Sequence, residues 1–113
     1  MISAIFVRPA PCDRRRGVLV AGDQAFPCAL GRGGIHAPKR EGDGATPVAR
    51  MRIVAGWFRP DRMPRPQSAL DLAPIRPRDG WCDAPADPNY NRPVRLPFSA
   101  SHEAMLRKDR LYD

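Results

Sequence analysis

Nine prolines fall between residues 60 and 97, at 60, 64, 66, 74, 77, 85, 88, 93 and 97, and they restrict the fold more than any other feature. An interior proline removes a backbone donor and clashes with the preceding turn, so no regular helix fits between them. A structureless stretch this long is uncommon in a compact domain unless it is functional or disordered. It also holds Leu70, Leu72, Ile75, Trp81, Tyr90, Val94 and Leu96, which can anchor a loop on a sheet. The expectation is a loop covering one face, with short extended pieces near 69–72 and 94–96. With fourteen prolines and nine glycines in 113 residues, the chain can build one domain over 1–113 with a small core and much irregular backbone.

The rest of the chain reads as strands and turns. Ile2 to Arg8 is a first strand, broken by Pro9-Ala10-Pro11, and Asp13 to Gly17 is a basic turn. Val18 to Ala21 is a second strand, Gly22-Asp23 a hairpin connection, and Ala25 to Leu30 a third strand that Pro27 marks as an edge or irregular one. Lys39-Arg40-Glu41-Gly42-Asp43-Gly44 sets two glycines among short polar residues. Glycine takes positive φ at little cost and Asp bonds back onto nearby backbone, so this is a tight turn. Thr46-Pro47 ends it by holding Thr46 extended. Met51, Ile53, Ala55 and Trp57 then alternate with Arg52, Val54, Gly56 and Phe58, the period of a strand. The last proline-free stretch is Phe98 to Asp113. Ser101 as N-cap and Glu103 in the first turn give a short helix over 102–108, with Leu111-Tyr112 opening a further apolar element.

The formal net charge is +7 and the isoelectric point is about 10.3, which favours anionic partners. The arginines are scattered, however, and the longest cluster, Arg14-Arg15-Arg16, reads as a solvated loop. Gly31-Arg32-Gly33-Gly34 lacks both the dinucleotide fingerprint and the Gly-Lys-Ser/Thr of a phosphate loop, so it reads as a turn. Cys12, Cys28 and Cys82 are an odd number with no zinc spacing, and serve as free structural thiols. Cys12 and Cys82 each precede an Asp, which opposes activation of a thiolate, and Cys28 sits in an apolar strand. His36 is a surface or capping residue, and so is His102 in the first instance. Asp83, Asp87, Asn89 and Asn91 are interrupted by Pro85 and Pro88 and read as Asx turns in place of a calcium loop. No metal, no cofactor, no membrane span, no stable membrane anchor and no nucleic-acid partner is expected.

Several strings together resemble the L,D-transpeptidase (YkuD-like) catalytic domain, most closely a short bacterial branch made of that domain alone. They are Cys28-Ala29-Leu30-Gly31-Arg32-Gly33-Gly34-Ile35, then Lys39 to Pro47, then Asp79-Gly80-Trp81-Cys82-Asp83 through Asn89-Tyr90-Asn91-Arg92-Pro93-Val94, and Ser101-His102-Glu103 through Leu111-Tyr112-Asp113. The resemblance covers nearly the whole chain. It implies a mainly β fold, part of a β-sandwich with long Pro-rich loops and the short C-terminal helix. It implies action on peptidoglycan stem peptides in the cell envelope or periplasm. There a Cys thiolate attacks the carbonyl beside a D-centre, releases the terminal D-residue, and passes the acyl group to an amine of another stem. It implies substrate contact at Asn91, Arg92 and His102.

The chain departs from that pattern where the chemistry is done. The family's nucleophile follows Gly, and neither Cys12, Cys28 nor Cys82 does. Neither His36 nor His102 stands in the context of the catalytic His. After Thr46-Pro47 this chain has Ala49 and Met51 where the family tends to have Gly and Phe. The expectation is an N-terminal part of such a domain, inactive by itself, whose catalytic His and Cys lie beyond Asp113; no signal peptide is recognisable in it. The second reading is a non-catalytic basic module that binds an anionic polymer, either glycan or nucleic acid.

Overall fold

The computed structural model describes residues 1–37, 40 and 42–110. Lys39 and Glu41 of the expected turn, and the Leu111-Tyr112 element, lie outside the described residues. The fold is β throughout, with no helix among the described residues. The chain divides into two compact units, Met1–Met51 and Arg52–Asp113.

The first unit opens with an antiparallel meander of β1 (Ile5–Pro9), β2 (Arg16–Ala21) and β3 (Gln24–Ala29), in that order. Val7 faces Leu19, and Leu19 faces Phe26. The expected hairpin is the two-residue Gly22-Asp23 link between paired Ala21 and Gln24, with Gly22 at φ +62°. Pro27 does lie on an edge strand, where a missing donor costs no ladder bond inside the sheet. The basic turn is tied by Asp13: its carbonyl accepts the Arg16 N–H at 3.0 Å, and its Oδ1 accepts the Arg15 N–H at 2.9 Å. β4 (Ile35–His36) and β5 (Thr46–Pro47) form a short parallel pair. Between them the expected turn is present: Gly42 and Gly44 take φ of +80° and +65°. Asp43 bonds back as anticipated, accepting the Arg40 and Ala45 amides at 2.8 Å each.

The second unit contains two further sheets. β6 (Ala55–Phe58) runs parallel to β7 (Asp71–Pro74). The strand anticipated from Met51 is therefore shorter than its alternation suggested. Met51, Ile53 and Val54 lie outside it and are exposed, because β7 pairs only with 55–58. β8 (Asp79–Cys82) is the centre of the other sheet, flanked by β9 (Pro93–Arg95) and β10 (His102–Ala104), both antiparallel to it.

That third strand corrects the helix expected over 102–108. His102, Glu103 and Ala104 instead pair with Cys82, Trp81 and Gly80, and the Ser101 carbonyl accepts the Asp83 amide at 3.2 Å. A helix of two turns is marginal in water, and a waiting strand edge outbids its capping signals. The Pro-rich stretch 60–97 likewise holds three strands, with Pro74 ending β7 and Pro93 opening β9. The buried side chains of this unit are Phe58, Arg59, Ile75, Cys82 and Met105. The Ile75 amide donates to the Phe58 carbonyl at 2.8 Å, which locks the ends of β6 and β7 over that small core.

Candidate functional site

Cys82 closes β8 and has no exposed surface. Its backbone organises three segments distant in sequence. The Cys82 amide donates to the Arg92 carbonyl at 3.0 Å, and the Cys82 carbonyl accepts the Asn91 amide at 2.9 Å. On the other flank of β8, His102 is its cross-strand partner. Asn91, Arg92 and His102, the three residues expected to contact substrate, thus gather around one strand end.

Each is held by local chemistry. Asn91 sits at φ +59°, a left-handed conformation that Asn tolerates better than other side-bearing residues. Its Oδ1 accepts the Trp81 indole N–H at 3.1 Å. Trp81 in turn meets Trp57 edge to face, with centroids 5.9 Å apart and planes at 82°. The sequence reading missed this tryptophan pair, which brings together a residue of β6 and a residue of β8. Arg92 is exposed, and its side chain makes no hydrogen bond or ion pair with the described residues. His102 is exposed as well; its Nδ1 lies 2.7 Å from the Ala100 carbonyl, and its ring stands edge to face on Phe98 at 5.9 Å. The neighbouring Asx turn is confirmed at Asp87, whose Oδ1 accepts the Asn89 amide at 2.7 Å.

The arrangement suits recognition better than nucleophilic attack. A thiolate needs access and a base within hydrogen-bond reach. The Cys82 thiol is sealed from solvent and makes no hydrogen bond to the imidazole opposite, whose Nδ1 is turned to the Ala100 carbonyl. Cys28 is half-buried in edge strand β3, more open than its apolar context suggested, and Cys12 is exposed. His36 is exposed on β4, where its carbonyl accepts the Val48 amide at 3.2 Å. What the second unit does offer is an exposed cation at Arg92, an amide side chain fixed in place, and indole surface beside them. Such groups can hold a carboxylate and stack an apolar segment. No group of metal-ligating side chains occurs among the described residues, and no helix among them is long and apolar enough to cross a membrane.

Comparison with known proteins agrees with the residues that carry the likeness. No curated protein and no solved structure matches the chain. The family model for the L,D-transpeptidase catalytic domain (YkuD), however, matches residues 10–110. That span takes in β2 and β3 of the meander, the Gly42–Gly44 turn and every segment that meets at Cys82, so the chain belongs to the L,D-transpeptidase catalytic-domain family.

Proposed function

We propose that this chain is the scaffold and substrate-contact part of a peptidoglycan acyltransferase of the cell envelope, with its reactive thiol and base in sequence beyond residue 113. The family match over residues 10–110 carries the reading. In the reaction, a Cys thiolate adds to the carbonyl of the residue preceding the terminal D-residue of a stem peptide. The tetrahedral adduct expels that residue as its amine, which takes up a proton, and leaves a thioester. An amine of a second stem then attacks the thioester and regenerates the thiol. Asn91, Arg92 and His102 position the donor stem, Arg92 by pairing with a carboxylate and Asn91 by a hydrogen bond beside the indoles.

Two observations support assigning the thiol elsewhere. Cys82 is enclosed and none of the three cysteines follows Gly. The meander also leaves Ile5, Val7 and Phe26 exposed on one face, apolar sheet surface of the kind that a second layer of a β-sandwich covers. Titration of the chain with a free tetrapeptide stem tests the contact residues. Arg92→Gln and Asn91→Ala should each weaken binding by about tenfold or less, as expected for one charge-assisted or neutral hydrogen bond. Binding that is unchanged in both variants would remove these residues from the site.

A further inference from the structure

The first unit contains a cleft of about 560 Å³, lined by Asp13, Arg14, Arg15, Arg32, Gly33 and Asp43. It lies where the basic turn before β2, the Gly31–Gly34 loop and the Asp43-Gly44 turn converge. Each of these segments alone reads as a solvated turn. Together they place three guanidinium-bearing residues and two carboxylates around one opening.

The charges are not equivalent. Asp13 is engaged by its own turn: it accepts the Arg15 amide, pairs with Arg15 Nε at 3.3 Å, and lies 3.8 Å from Arg16 Nε. Asp43 accepts two backbone amides. Arg14 and Arg32, in contrast, make no hydrogen bond or ion pair with the described residues. Both lie on glycines with left-handed backbone. A Cβ at Gly34, φ +76°, would come within 3.3 Å of the Arg14 Cβ, and one at Gly44, φ +65°, would come within 2.7 Å of the Arg32 Nε. Glycine at 34 leaves room for the Arg14 backbone and Cβ, and glycine at 44 leaves room for the Arg32 side chain out to its Nε.

We propose that this cleft is a carboxylate-binding site, in which Arg14 and Arg32 grip the terminal carboxylate of a peptide. Guanidinium forks match a carboxylate in shape and charge. The lining favours one negative charge over many, because three arginines and two aspartates leave a single net positive charge. A phosphodiester chain would carry further charges against Asp13 and Asp43. The assignment rests on residues of the first unit alone and does not depend on the proposed acyl transfer.

The test is a titration of the full chain followed by the arginine Nε–Hε resonances in NMR. The probes are N-acetyl-Ala-Ala, its C-terminal amide, inorganic phosphate and a short single-stranded oligonucleotide. N-acetyl-Ala-Ala should shift the Arg14 and Arg32 signals and the amide should not. Arg14→Gln and Arg32→Gln, both at exposed positions, should each weaken the carboxylate by about tenfold, the loss of one charge-assisted pair. Equal response to acid and amide overturns the proposal, as does no response to either. Tighter, Arg14- and Arg32-dependent binding of the oligonucleotide also overturns it, in favour of a polyanion site.

Discussion

Arg59 is a buried cation, 4% exposed, and its contacts explain why it is tolerated. Its Nε and Nη2 donate to the two oxygens of Asp61 at 2.8 and 2.7 Å, and its Nη1 donates to the Arg107 carbonyl at 2.6 Å. The fork therefore ties the end of β6 to the segment after β10. The hydrogen bonds from Arg59 hold the Asp61 carboxyl below the usual carboxylate range. A folded-state value below the unfolded one means stabilisation that is present above about pH 4 and lost as the pH falls further. Thermal melts from pH 7 down to pH 2 should therefore show Asp61→Asn less stable than the parent at neutral pH, with the gap closing in acid; a gap that persists unchanged at pH 2 would rule this out. Phe58, 8% exposed, is the largest side chain in a core of very few, with the Arg65 guanidinium 6.0 Å from its ring centroid. Phe58→Ala should cost about 3–5 kcal/mol in denaturant unfolding of the second unit, enough to unfold a marginal domain; a cost below about 1 kcal/mol would mean that the core lies elsewhere.

At the scale of elements, β10 is where local signals and final structure part. Ser101, Glu103 and the apolar pair Met105-Leu106 describe a helix, yet the segment completes a sheet. Hydrogen exchange distinguishes the two. Protection should fall on the Asp83 amide, bonded to the Ser101 carbonyl, and on the Met105 amide, bonded to the Asp79 carbonyl at 3.0 Å. A consecutive run of protected amides over 105–108 would restore the helix. The meander was legible because Gly22-Asp23 and Pro9–Pro11 punctuate it and Pro27 can sit on an edge. β4, β5 and β8 were not, since runs of two to four residues carry too little alternation to be seen. Within the proline-rich stretch, the extended pieces expected near 69–72 and 94–96 are present as β7 and β9, shifted by one or two residues; proline at a strand end removes no needed donor. The site shows the same limit. Asn91, Arg92 and His102 were named through family likeness, but nothing in their spacing announces that they meet at Cys82. Arg14 and Arg32 were passed over because each belongs to a turn that is unremarkable by itself.

At the scale of the whole molecule, membership of the transpeptidase family and the state of the chain's own thiols pull in different directions. The family chemistry needs an accessible thiolate beside an imidazole. Cys82 is enclosed, Cys28 lies in an edge strand, Cys12 is exposed, and none is hydrogen-bonded to a histidine. On the function proposed above, acyl transfer depends on a thiol other than these three, and this chain contributes scaffold and donor contacts. Intact-mass spectrometry of the 113-residue chain, after incubation with a tetrapeptide stem, tests this most directly. The account predicts an unmodified mass and no released D-residue. A thioester adduct on Cys82, Cys28 or Cys12, accompanied by release of the terminal D-residue, would contradict it.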